Sequence, residues 1–262
     1  LSSSLLKAQF QFNQAKEFAS SLDYNLSVAH LTNGDKVVSG LVVDTVKLSA
    51  SVQLIRSSER SVYVARYAKN GNLLWHYLVK GSSSSSSIAP NAGVKTDNDD
   101  NIYVAGNFSG NVAFSSSIVK NGGVLGSVFY LKLDSTGAFK HVGFLGNAFC
   151  TDFDITSNQR VVIGGNIATN PRNAMVAKFL ANGQINGYEV KKFNGSKNNR
   201  DQITAVCIDD DDNIYFAGKC NGSSISINGL NTTVSGPNDI NKYTLFLGKI
   251  SSTNWASWLK GA

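Results

Sequence analysis

Asp97-Asn-Asp-Asp-Asn-Ile-Tyr-Val-Ala-Gly106 decides the fold, because the chain says it again. It returns as Asp209-Asp-Asp-Asp-Asn-Ile-Tyr-Phe-Ala-Gly218, and more loosely as Thr156-Ser-Asn-Gln-Arg-Val-Val-Ile-Gly-Gly165 and Leu31-Thr-Asn-Gly-Asp-Lys-Val-Val-Ser-Gly40. A second phrase follows each copy: Val62–Arg66, Val128–Lys132, Ala174–Lys178 and Leu245–Lys249. The whole recurs every 50 to 70 residues, and self-similarity of that period marks a repeat architecture.

The last copy shows what one repeat is. Ile203–Ile208 and Asn213–Ala217 are β-prone runs around the polar cluster Asp209–Asp212, which reads as a hairpin of strands A and B, with Gly218 ending strand B. Tyr243–Ile250 supplies strand C, Ser251–Asn254 a turn, and Trp255–Leu259 strand D. Aligned on the terminal glycine, Val28, Val94, Phe153 and Val206 share one column and Val38, Val104, Ile163 and Phe216 another; both are expected in the core. One small meander cannot bury both its faces, whereas stacked copies can. Four strands per repeat favour an all-β β-propeller of four-stranded antiparallel blades.

The count is four complete blades plus an N-terminal half blade. With Phe18 placed in the Trp75 column, Leu5–Leu22 reads as strands C and D of an earlier blade. The expected divisions of one propeller domain are a half blade at 1–24 and blades at 25–81, 82–146, 147–195 and 196–262. The chain begins with Leu1 and closes as strand D ends. Strands A and B of the half blade are thus expected from a longer polypeptide or from another chain pairing at an open edge.

Composition narrows the function classes. The formal charge is +6, but only Lys191, Lys192, Lys197 and Arg200 gather, in an expected loop, and a nucleic-acid binder needs a basic stripe with aromatics. No specific nucleic-acid partner is expected. No apolar run reaches eighteen residues, so no membrane span is expected. Cys150, Cys207 and Cys220 lack metal or redox spacing and read as small buried side chains. A surface rich in amides and hydroxyls suits an extracellular, cell-surface or virion-associated protein. The five N-x-S/T triplets, beginning at Asn25, Asn107, Asn194, Asn221 and Asn231, are what such a composition yields by chance.

Candidate chemistry is sparse. Asp97, Asp99, Asp209 and Asp211 crowd short turns that could offer oxygens to Ca²⁺. The turns lack the spaced ligands of a calcium loop, however, and Asp and Asn favour tight turns for their own backbone bonding. The column Arg66, Lys132, Lys178 and Lys249 could ring a channel with cations, but reads better as pairing with the A–B turn carboxylates. Trp75, His141, Gly187 and Trp258 share a strand-D column, and His141 reads as packed between sheets. No catalytic residue or cofactor is assigned, because no nucleophile-elbow, zinc or phosphate-loop motif occurs.

These phrases resemble the bacterial β-propeller repeat usually called SBBP, whose units read D-x-x-G-N-I-Y-V-A-G, then F-V-A-K-L-D, then G-x-L-L-W. The likeness runs through Asp97–Gly106 with Phe129–Asp134, Asp209–Gly218, and Val62–Arg66 with Asn70–Trp75. The family's turn glycine is replaced by Asp100 and Asp212. The resemblance implies a propeller in secreted, surface or large-virus proteins and carries no catalytic residues. The expected function is a structural or recognition module for proteins or glycans, the alternative being a glycan hydrolase or lyase. The A–B and C–D turns fall at one end of the blades and the B–C and D–A connections at the other. Between the strand-B glycine and the strand-C cation lie 25, 25, 12 and 30 residues in the four copies, from Gly40 to Arg66, Gly106 to Lys132, Gly165 to Lys178 and Gly218 to Lys249. Val46 with Leu48, Val112 with Phe114 and Ile225 with Ile227 mark ordered hairpins inside the long B–C connections, which with the Ser82–Ser87 run place any partner site at that end.

Overall fold

The computed structural model describes residues 26–56, 59–83, 85–168, 172–180, 188–195, 201–220, 224–227, 233–235, 243–252 and 257–261. The half blade assigned to 1–24 and the column position of Gly187 lie outside them. The described chain is all β, and no helix occurs among these residues.

Four antiparallel meanders follow one another. The first is β1 (Ser27–His30), β2 (Lys36–Val42), β5 (Ser61–Tyr67) and β6 (Leu73–Gly81), with a separate hairpin of β3 (Thr45–Lys47) and β4 (Gln53–Ile55) in its B–C connection. The second is β7 (Ser87–Thr96), β8 (Ile102–Ser109), β11 (Ser127–Leu133) and β12 (Phe139–Gly146), its connection folding into β9 (Asn111–Ala113) and β10 (Val119–Asn121). The third is β13 (Ala148–Ile155), β14 (Val161–Ile167), β15 (Ala174–Phe179) and β16 (Tyr188–Gly195). The fourth is β17 (Gln202–Ile208), β18 (Ile214–Cys220), β21 (Thr244–Ile250) and β22 (Ser257–Gly261), with β19 (Ser224–Ile227) and β20 (Thr233–Ser235) between β18 and β21. None of the sheets closes into a barrel among the described residues.

The apolar alternation in the long connections does form hairpins, and two of them leave their own meander. β9 pairs with β6 of the first sheet, and β19 pairs with β16 of the third, so both of those sheets have six strands. Among the described residues no such hairpin pairs with β12.

Two glycine-aligned columns are cross-strand pairs: Val28 faces Val38, Val94 faces Val104, Phe153 faces Ile163 and Val206 faces Phe216. The terminal glycine does not end strand B, which runs on through Gly40, Gly106, Gly165 and Gly218. In the last three meanders the glycine lies at a bulge in strand A, between Ala89 and Gly93, Cys150 and Asp152, or Ile203 and Ala205. The extra residues bend the bulged strand and disrupt the ladder locally. A Cβ on Gly106 would stand 2.0 Å from the Ala89 carbonyl oxygen, and one on Gly165 1.8 Å from that of Phe149, so only glycine fits.

The sheets stack in chain order. β7 lies against β1 and β13, and β13 against β17, so each strand A touches the next. One core joins Val37, Val62 and Val64 of the first sheet to Ile102, Val104 and Phe129 of the second. Another joins Tyr103, Val128 and Tyr130 to Phe153, Ile163 and Met175 of the third. The next joins Val162, Ala174 and Val176 to Val206, Phe216 and Phe246 of the fourth. Strands between two neighbours are buried on both faces, as β11 and β14 are throughout. At the ends of the stack the same columns lose cover. Val28 is 56% exposed although Val94, Phe153 and Val206 are buried, which corrects its place in the core: a column predicts side, and burial needs a neighbour.

Cys150 and Cys220 are buried, whereas Cys207 is exposed on the outer face of the fourth sheet. Lys191 and Lys192 belong to strand β16, opposite Val176 and Met175, and not to a loop. Glu189, not Gly187, stands opposite Lys178, in the place that Trp75, His141 and Trp258 hold opposite their own cations.

Candidate functional site

The two ends of the stack differ in chemistry. At the A–B turn end the acidic residues are occupied by structure. The Asp97 carboxylate accepts the backbone N–H groups of Asp99 and Asn101, the Asn101 amide and the Tyr103 hydroxyl. Asp209 repeats this with Asp211 and Asn213, and the Asn213 amide holds its carboxyl below the usual carboxylate range. These are turns closed by their own side chains.

The fourth turn position is the informative one. Gly34, Asp100, Gln159 and Asp212 all have positive φ, at 86°, 60°, 63° and 61°, the conformation for which glycine is the default. Asp100 uses it to reach back to the first sheet, accepting the Thr32 N–H at 2.8 Å and its hydroxyl at 2.6 Å. Asp212 accepts the same pair of groups from Ser157, at 2.6 and 2.7 Å. Gln159 donates its amide to Asp99 at 2.6 Å. The second, third and fourth meanders are thus each clamped to the turn before, by Asp100, Gln159 and Asp212.

A cleft of about 400 Å³ opens among these turns, lined by Asp97, Asp99, Asp154, Asp209, Asp210 and Asp212 with neighbouring polar groups. Of the four carboxylates considered for Ca²⁺, Asp97, Asp99 and Asp209 accept protein hydrogen bonds. Asp211 is exposed and outside the cleft lining. No group of three or more His, Cys, Asp or Glu suited to a metal ion occurs among the described residues.

Three of the repeated cations are also held by structure. Arg66 forms a 2.6 Å ion pair with Asp35, whose carboxyl it holds below its ordinary value. Lys132 lies over the Tyr103 ring and donates to Gln159 at 2.6 Å, and burial lowers its pKa. Lys249 lies over Tyr215, whose hydrogen bond raises its pKa. The carboxylate pairing expected of the column is therefore met by Arg66, while Lys132 and Lys249 sit on tyrosine rings. All occupy strand C, two strands out from the A strands that touch one another. His141 packs edge-on against Tyr130, and burial followed by the charge of Lys132 pushes its pKa down to about 4.

The opposite end carries a wider cleft of about 630 Å³, built where strands β2, β7, β8 and β13 meet the B–C and D–A connections. Arg60, Asn91, Asn107, Ser109 and Phe149 line it, over apolar walls from Leu41 and Phe108, and among the described residues no carboxylate is in its lining. Asn107 is fixed by a reciprocal pair with the Cys150 backbone, donating at 3.2 Å and accepting at 2.8 Å. Phe149 carries the Arg172 guanidinium 5.8 Å from its ring centre. The serine run beside this end is tied down: Ser82 N–H and the Ser86 hydroxyl both bond the Asn111 carbonyl. Of the cleft residues the sequence had marked only Asn107, as an N-x-S/T triplet, and Ser87, in the serine run; the others follow the strand-B glycine, open strand A, or, as Arg60 and Gly126 do, precede strand C.

No family model matches the chain, and no curated protein matches it. Among solved structures it is similar to a protein of unknown function from Bacteroides caccae, at 13% identity and a TM-score of 0.43 over 93% of this chain and 83% of that one.

Proposed function

We propose that this chain is a β-propeller scaffold of the SBBP type whose meanders are blades, serving as a non-enzymatic recognition module on a cell or virion surface. The sequential contact of first strands supports the blade reading, since strands A of a propeller converge on its axis. The ligand site is the 630 Å³ cleft at the B–C and D–A end, and the observation that carries this is its lining: fixed amides, hydroxyls, one arginine and the Phe149 ring. Such a surface suits a hydroxyl-rich ligand, with an aromatic ring for the apolar face of a sugar and amides for its hydroxyls. A hydrolase acting in this cleft would need two carboxylates across it, about 5 to 9.5 Å apart, and none is among the described residues of its lining.

The test is binding of the whole chain to an array of glycans, followed by titration of the strongest hit. Phe149→Ala and Asn91→Ala should each weaken it at least tenfold with the melting temperature of Asn91→Ala unchanged. Undiminished binding by both variants moves the site elsewhere, and turnover of the bound glycan restores the enzyme reading.

A further inference from the structure

The outer face of the fourth sheet is built like an interior. Leu245, Leu247 and Trp258 are 61%, 52% and 41% exposed, and Cys207 is exposed beside them. Around Trp258 and Leu247 runs a shallow groove of about 240 Å³ that is almost wholly apolar. By position in the repeat, Leu245 and Leu247 correspond to Val62 and Val64, Val128 and Tyr130, and Ala174 and Val176. All six of these are fully buried, each pair against the opposite face of the following sheet. The fourth sheet thus keeps the composition of a covered face.

We propose that this face docks a further four-stranded meander of the same repeat, supplied from outside the four described sheets. The three internal junctions define what the occupant presents: Val, Ile or Phe columns on strands A and B and an aromatic or aliphatic column on strand C. They define its turn as well. Position four of every following turn reaches back to position two or three of the turn before, as Asp100 does to Thr32, Gln159 to Asp99 and Asp212 to Ser157. In the fourth meander positions two and three are Asp210 and Asp211, both exposed. The occupant's turn therefore carries a donor, as Gln159 does toward Asp99, since a carboxylate there would be repelled. Lys219, Lys249 and Lys260 border the face on the Tyr243, Tyr215 and Trp258 rings. Pairing this face with itself in a second copy would bring those cations together, so self-association is disfavoured. The inference stands on the sheet junctions and does not depend on the ligand cleft.

Cys207 is the built-in reporter, because the other two thiols are buried. In the 262-residue chain it should react with a thiol reagent at a rate independent of protein concentration. Extending the C terminus with a copy of residues 147–195, whose turn carries Gln159, should slow that reaction at least tenfold and shift Trp258 emission to the blue. Leu247→Asp in the extended chain should restore the rate. A copy of residues 82–146, which brings Asp100 against Asp210 and Asp211, should protect less. The proposal is overturned if neither extension protects Cys207. Protection in the parent chain also overturns it: if it grows with concentration the occupant is a second copy, and if it is lost on deleting residues 1–24 the occupant is the chain's own N-terminal segment.

Discussion

Replacing Asp100 separates two effects that the turn combines. The residue sits at φ 60°, where an L side chain costs about 1 kcal/mol relative to glycine, and its carboxylate takes two hydrogen bonds from Thr32. Both bonds are exposed, so each contributes about 1 kcal/mol, below the range for buried charged partners. Asp100→Gly loses the bonds and relieves the strain, for a net loss of about 1 kcal/mol. Asp100→Ala loses the bonds and keeps the strain, for a loss of about 2 to 3 kcal/mol. For a denaturant slope of about 3 kcal/mol/M the two midpoints fall by roughly 0.3 M and 0.8 M in urea. Adding Thr32→Ala to either variant should cost little more, because the partners share one interaction. An Asp100→Gly protein at least as stable as the parent would refute the clamp, and equal losses for Gly and Ala would refute the strain.

Gly106→Ala should be far more damaging, because its Cβ would collide with the Ala89 carbonyl at the bulge; a loss of about 3 kcal/mol or more should show as a large fall in melting temperature. His141 gives a pH signature: with its folded pKa near 4 against about 6.5 unfolded, its contribution is full above pH 6.5 and is lost as pH falls toward 4. The parent should therefore lose stability relative to His141→Gln as pH falls from about 6.5 to about 4, with a constant difference between the two above that window. Among the three thiols one, Cys207, should titrate rapidly in the native chain and all three after unfolding. Burial pushes the Cys220 thiol up to about 11 and that of Cys150 higher still, so native reactivity at either would contradict the packing.

What the sequence disclosed was register. The glycine column fixes which residues face one another, and a ladder has period two, so the pairing of Phe153 with Ile163 could be read from spacing alone. Burial could not. Val28 and Val94 are the same residue in the same column, and Leu247 matches Val64, yet each pair divides into exposed and buried according to whether another sheet lies across from it. The glycines themselves misled, because a glycine after a β-prone run is usually a stop, and the bulge that demands it is made by residues thirteen to seventeen positions earlier. Alternation announced the hairpins in the long connections, but their destination on another sheet has no local signal. The proposed ligand cleft was least legible, since Arg60 precedes β5 while Asn91 and Phe149 lie on β7 and β13, and they form no linear motif.

The migrating hairpins divide the array. β9 ties the second meander to the edge of the first, and β19 ties the fourth to the edge of the third. No ladder among the described strands crosses from the second to the third. That boundary is held by packed side chains and by isolated bonds such as Asn107 with Cys150 and Lys95 with Asp154. Mechanically, the chain is two couplets joined at a seam near Asn147. Backbone amides within a couplet share their openings through a common sheet, whereas the seam can part without breaking a strand pair. Under load, or in early unfolding, the molecule should hinge there first, and hydrogen exchange should resolve two cooperative blocks instead of four.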